Sequence, residues 1–266
     1  MPSEAGSPTA RTRNVPAVAE PAEPAGTVFV LASASPARAT TLRSAGIEPL
    51  IRVSNVDEDA VLARFDDPDS ASRAAEKVVA LAEAKGAAVV PELNANDIVE
   101  FAKAHGMPRP AAAIVLAADS MLEVNGALVG KPHSPEVAAT RIRELSGNSV
   151  VLHTGHALFL VSLQYERGED SASGEEAVRL SAAKSRSSSC ATTVNFTELD
   201  EDEIQAYIAT GEPLEVAGSF TIDGLGGPFI AGVEGDPHSV VGVSLPLVRA
   251  IAKELGVFWP SLWNRI

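Results

Sequence analysis

The run Val28-Phe29-Val30-Leu31-Ala32 constrains this chain more than any other feature. It is short, apolar and partly β-branched, so it reads as a buried strand. It passes directly into Ser33-Ala34-Ser35-Pro36. Ser35 suits a helix N-cap, and Pro36 suits the first helical position because its missing N–H would be unpaired there anyway. Thr40, Leu42 and Ala45 carry a helix to Gly46, which stops it. A strand that turns through a short loop into a capped helix is the opening of an α/β domain. A second such strand, Ile114-Val115-Leu116-Ala117-Ala118, ends at Asp119 in this reading.

The remaining chain supplies further elements of both kinds. Ala71 to Val90 is Ala-rich, with Val78, Val79, Leu81 and Ala82 near helical spacing. Residues 91–112 hold three prolines and read as an insertion, helical in part from Ile98 to Ala104. Leu122 to Val129 alternates around Asn125-Gly126, a hairpin signal. Ser134-Pro135 starts a helix to about Leu145, and Val150 to Val161 is a long strand. Residues 164–189, rich in Ser, Glu and Ala, read as a second insertion: an exposed loop between strands. Thr192 to Phe196 resumes the sheet, with Cys190 a structural thiol at its start. Asp200 and Glu203 form a capping pattern for a helix ended by Gly211, and a final helix covers Pro246 to Leu255. Residues 1–25, rich in Pro, Ala and Glu, read as a disordered tail, which leaves 26–266 as a single domain.

Composition excludes several classes. The formal net charge of −14 repels nucleic-acid backbones and anionic membranes, although a small nucleotide needs only a local positive site. A single cysteine rules out an internal disulfide and a cysteine metal site. No apolar run reaches the ~18–20 residues of a membrane span, and no apolar stretch follows Arg11 and Arg13, so the cytoplasm is the expected location.

Four places could carry chemistry. The loop Ser33 to Arg38 offers helix N–H groups, two hydroxyls and a guanidinium, a set that suits phosphate but also serves as a plain cap. Asp119, at a strand end, could bind a metal, activate water or cap a turn. Lys131, held between Gly130 and Pro132, and Lys85, on one face of the Ala-rich helix, could neutralise phosphate or simply be solvated. Asp57-Glu58-Asp59 groups carboxylates as Mg²⁺ or Mn²⁺ requires, or forms a hydrated loop. The five histidines lack metal-ligand spacing; His153 and His156 fall on opposite faces of their strand. There is no G-x-x-x-x-G-K-[ST] loop, no G-x-G-x-x-G after the first strand and no G-x-S-x-G elbow.

These pieces occur in a specific order. Leu31-Ala32-Ser33-Ala34-Ser35-Pro36-Ala37-Arg38 is followed by Val56-Asp57-Glu58, Leu81-Ala82-Glu83-Ala84-Lys85, Ala118-Asp119-Ser120 and Gly130-Lys131-Pro132. Then come Leu145-Ser146-Gly147, His153-Thr154-Gly155, Gly211-Glu212-Pro213, Asp223-Gly224, Gly235-Asp236 and Val240-Val241-Gly242. Over roughly Val28 to Leu255 the chain resembles the Maf family. The resemblance implies a mixed twisted sheet with flanking helices, two lobes around a central cleft, and a homodimer. It implies hydrolysis of a nucleoside triphosphate to the monophosphate and pyrophosphate with a divalent cation, Mg²⁺ or Mn²⁺. Ser33, Ser35 and Arg38 would hold the triphosphate, Lys85 and Lys131 would add positive charge, and Glu58 would help place metal or water. Asp119 would activate water and take part in metal binding, and Asp223 would face the base. The pattern departs from the family at Ala37, where a second arginine is usual, and at Asp223, which is glutamine in one branch. The competing reading is a non-catalytic nucleotide-binding regulator of cell division, against which Asp119 is the telling residue.

Overall fold

The computed structural model describes residues 26–65, 73–167, 176–181 and 183–265. In chain order these form β1 (Gly26–Leu31), α1 (Pro36–Ser44), β2 (Leu50–Ile51), α2 (Glu58–Leu62), α3 (Ala74–Val89), α4 (Ala95–Ala104), β3 (Pro110–Val124) and β4 (Ala127–Val129). They continue with α5 (Pro135–Leu145), β5 (Ser149–Arg167), β6 (Glu176–Leu180), β7 (Lys184–Phe196), α6 (Glu201–Ala209), β8 (Ile230–Glu234), α7 (Pro237–Val241) and α8 (Leu245–Glu254). The expected tail over 1–25 lies outside the described residues.

One mixed sheet runs β2-β1-β3-β5-β7-β8, with β4 on β3 and β6 on β5. β1 is parallel to β2 and β3; β5, β7 and β8 continue antiparallel. Helices flank the sheet, as expected for an α/β chain. One core packs α1 and α8 on Phe29, Leu31, Ile114, Leu116 and Leu158. On the opposite face Val28, Val30, Ala113, Val115 and Ala117 pack against α3 and α4 residues such as Val89, Ile98 and Ala102. Each strand thus feeds alternate side chains to two cores, which is why β1 and the first half of β3 are continuous apolar runs.

Local signals are met where they were strongest. Ser35 caps α1 with Pro36 at its first position. Asp200 and Glu203 form a reciprocal capping box on α6. The Asn125-Gly126 turn joins β3 to β4 with φ of 50° and 78°, the left-handed pair a two-residue hairpin needs.

Four expectations are corrected. The segment 164–189 is not a loop over its described part: β5 extends to Arg167, β6 pairs with it, and β7 begins at Lys184. Of its described residues only Tyr165, Val178 and Leu180 pack on the core, and Lys184 to Ser189 carries no apolar residue, so the pattern is too short to stand out. Cys190 consequently lies inside β7 and not at a strand start. β3 does not end at Asp119 but runs to Val124, because β5 pairs with it from Ala112 to Glu123. The acidic cluster is not a loop: Asp57 caps α2, accepting from the Ala60 amide at 3.0 Å, with Glu58 and Asp59 in the first turn.

The edge of β3 away from β5 carries the most consequential feature. β1 pairs with it as far as Leu116, and β4 pairs with it only from Leu122. Between them, from Ala117 to Met121, that edge has no strand partner. The apolar cores part at the same level. Leu122, Val124, Val150 and Leu152 belong to a third cluster, while Asp119, Ser120, His153 and Thr154 interrupt both strands. The chain leaves β1 into this gap at Ser33, and antiparallel β4 leads toward it at Lys131.

α3 approaches β5 closely beside the gap. A Cβ on Gly155 would stand 2.2 Å from the Val78 carbonyl oxygen, and one on Gly86 2.0 Å from the Phe159 ring. Gly155→Ala is therefore expected to push α3 off the sheet and to cost at least about 2 kcal/mol by urea denaturation. Wild-type stability in this variant would show that the helix does not need the close approach.

Candidate active site

Asp119 pairs with Gly155 across the β3–β5 ladder, so its side chain shares the face on which α3 lies. The sheet-facing stripe of α3 is Val78, Leu81, Ala82, Gly86 and Val89. Lys85 falls two helical turns from Val78 and continues that stripe with a charge where a hydrophobe would otherwise pack. Its ammonium lies 2.5 Å from Asp119 Oδ1 and 2.8 Å from Glu58 Oε1. The Lys85 and Asp119 side chains are only 14% and 11% exposed, whereas Glu58 is 50% exposed. Burial raises the pKa of Asp119 above the usual carboxylate range, and the charges of Lys85 and Arg38 act in the opposite direction.

Arg38 comes from the first turn of α1. Its Nη1 donates to Ser33 Oγ at 3.0 Å, its Nη2 to Ser120 Oγ at 3.4 Å, and its Nε to the Gly242 carbonyl at 3.1 Å. Burial lowers its pKa, while Asp119 and Glu58 support its charge. Ser33 Oγ also accepts from the Ser35 amide at 3.2 Å. With both lone pairs occupied, the Ser33 hydroxyl proton remains available to an anion. Ser35 Oγ accepts from the Arg38 amide at 3.5 Å, and the Ala37 amide, at the second position of the helix, has no intrahelical acceptor.

The structure thus gathers Ser33, Ser35, Arg38, Glu58, Lys85 and Asp119 around the gap. Lys131 is exposed two residues beyond β4, on the chain that leads to the gap, and forms no hydrogen bond or ion pair with these groups. Asp223 is also exposed and makes no contact with the cluster. Its loop is nevertheless well held. Glu212 Oε1 accepts from Tyr207 Oη at 3.0 Å, Thr221 Oγ1 at 2.5 Å and the Gly226 amide at 3.1 Å, and Oε2 accepts from the Leu225 amide at 3.0 Å.

A buried polar chain behind Arg38 has no counterpart among the residues assigned roles from sequence. Ser120 Oγ meets Thr154 Oγ1 at 3.0 Å, and Thr154 Oγ1 donates to the Ser239 carbonyl at 3.0 Å. Ser239 Oγ meets Thr192 Oγ1 at 2.7 Å. α7 is therefore tied to the sheet through Ser239 and to Arg38 through Gly242. The available signal was the presence of small polar residues inside otherwise apolar strands.

His156 is fully buried, and its Nε2 accepts from the Ser244 amide at 2.9 Å. Desolvation, and then the Arg38 charge, push its pKa down to about 4. Between pH 6.5 and 4 the unfolded chain binds this proton and the folded one does not, so stability is lost as the pH falls through that window. The loss attributable to His156 is expected to be on the order of 3 kcal/mol. Urea denaturation across that range should be less pH-dependent in His156→Gln than in wild type; equal dependence would contradict the assignment.

Residues 28–255 match the family model for Maf-like protein. A "Nucleoside triphosphate pyrophosphatase" of Saccharopolyspora erythraea is 48% identical over 237 residues, covering 89% of this chain and 97% of the relative. Proteins with the same name from Nocardia farcinica (46% identical; 89% and 96% covered) and Rhodococcus erythropolis (43%; 90% and 97%) are similarly close. With the family model matched over most of its length and relatives aligned nearly end to end, the chain belongs to the Maf family.

Proposed function

We propose that this protein is a nucleoside triphosphate pyrophosphatase, converting NTP and water to NMP and pyrophosphate. The observation that carries the reading is the buried carboxylate of Asp119 in the sheet gap, flanked by Lys85 and, one loop away, by the Arg38–Ser33 pair. The relatives' names supply the reaction; the arrangement of charges is suited to it.

In this mechanism Ser33, the free amide at the start of α1 and Arg38 bind phosphate oxygens. Arg38 is already oriented by Gly242 and Ser120, so little reorganisation is needed as charge develops. Lys131 closes on the triphosphate from the β4 side. Asp119 takes the proton of a water as its oxygen bonds to the α-phosphorus, the bond from that phosphorus to the bridging oxygen breaks, and pyrophosphate leaves. The raised pKa of Asp119 makes it a stronger base than an exposed carboxylate.

Glu58 and Asp119 are hard oxygen donors drawn to one ammonium, a donor set that fits Mg²⁺ or Mn²⁺. Such ions are commonly held by one or two carboxylates together with substrate phosphates. Among the described residues no group of three or more His, Cys, Asp or Glu side chains could hold a metal, so phosphate and water would complete the shell. The bound cation would neutralise phosphate charge and polarise the phosphoryl group. Base selection falls to Asp223 on the loop clamped by Glu212. A carboxylate accepts from the donors of several bases, and relaxed selectivity among NTPs is part of the reading.

By resemblance we also assign a homodimer and a cytoplasmic location. A polymeric nucleic acid is a poor partner for a chain of net charge −14. No helix among the described residues is long and apolar enough to cross a membrane.

A panel of NTPs with Mg²⁺ or Mn²⁺, scored for pyrophosphate, tests the reaction. Wild type is expected to release pyrophosphate without a second acceptor, and folded Asp119→Asn to lose ~10²–10⁴ in kcat. Near-normal kcat in that variant, or orthophosphate as the product, would overturn the proposal.

A further inference from the structure

We infer that Lys85 is a built-in countercation that shares the Glu58–Asp119 carboxylate pair with the divalent metal, so that metal entry requires its ammonium to leave. The inference rests on the metal-dependent reading above and adds what the chain does before substrate arrives.

The first support is position. The two carboxylates that would bind the metal are the pair that Lys85 Nζ already bridges, 2.5 Å from Asp119 Oδ1 and 2.8 Å from Glu58 Oε1. An ammonium and a divalent cation cannot both occupy that contact. The second support is charge. Glu58 and Asp119 contribute two formal negative charges; Lys85 and Arg38 contribute two positive ones. With both cations in place the cluster has no net charge to attract a dication. Withdrawal of the Lys85 ammonium leaves it one charge negative.

The third support is mechanical. Gly86 packs under Phe159, and Gly155 packs against the Val78 backbone, so moving the α3 main chain would give up close packing along the sheet, whereas moving the Lys85 side chain would not. We assign the motion to the flexible four-carbon stem of Lys85, whose side chain retains 14% exposure. A triphosphate offers the ammonium new anionic partners and brings its own cation. Lys85 then passes from the carboxylates to the phosphate oxygens as the metal takes its place. Affinity for the bare metal is held low, and metal and nucleotide bind with positive coupling.

The test is Mn²⁺ binding to the full chain without nucleotide, read from loss of the free-ion electron paramagnetic resonance signal. Lys85→Met should bind Mn²⁺ at least about ten-fold more tightly than wild type, the effect of removing one adjacent positive charge. Lys85→Arg, which keeps the charge, should stay near wild type. Adding Glu58→Gln to Lys85→Met should abolish the gain, placing it at the carboxylate pair. Equal or weaker binding by folded Lys85→Met overturns the inference, as does a gain that survives Glu58→Gln. Should Lys85→Met not fold, Lys85→Gln, equally uncharged and similar in length, is read by the same criteria. Pyrophosphate release by wild type in Mn²⁺, measured alongside, separates the two readings. Metal-dependent release with no gain in Lys85→Met removes only the exchange, whereas release that is indifferent to metal removes the parent reading.

Discussion

A single ammonium held between two carboxylates, one buried and one exposed, is the interaction on which this site depends. Asp119 cannot remain ionised in an apolar sheet without compensation, because burial disfavours its charged form. Lys85 and Arg38 supply that compensation from two sides. Both cations are fixed by elements whose placement is dictated by packing, so the charge balance is a consequence of the fold and not of chance surface contacts.

The fold creates the site by omission. β1 and β4 share one edge of β3 and leave five residues between them unpaired, and the hydrophobic cores separate at that level. The chain passes from β1 into the Ser33–Arg38 loop on one side of the gap and from β4 toward Lys131 on the other. Two glycines let α3 descend close enough to bring Lys85 over the gap. Behind Arg38, hydroxyls on β3, β5 and β7 connect it to α7. Because each hydroxyl of that chain has a defined partner, the guanidinium is held in one orientation.

What could be read from the sequence is what short-range physics determines. The β1–α1 unit, the Asn125-Gly126 hairpin and the Asp200–Glu203 box each rest on neighbouring residues alone, and each was legible. The end of β3 was misplaced because Asp119 breaks the apolar run, while the antiparallel ladder from β5, distant in sequence, continues the strand past it. The polar stretch around residues 176–189 looked like a loop because its strands are held by backbone hydrogen bonds with little apolar burial. Most site residues were legible through the ordered motifs, but their partners were not. That Lys85 joins Glu58 to Asp119, or that Gly242 orients Arg38, depends on contacts across the fold that no local pattern encodes. Lys131 and Asp223 belong to the same ordered motifs, yet each is exposed and forms no hydrogen bond or ion pair with the cluster.

In the proposed reaction water attacks the α-phosphorus, with Asp119 as its base. Hydrolysis in ¹⁸O-enriched water, followed by mass spectrometry of the separated products, tests it most directly. Attack at that atom places the label in the nucleoside monophosphate and leaves pyrophosphate unlabelled. Label in pyrophosphate would show attack at the β-phosphorus and would contradict the account.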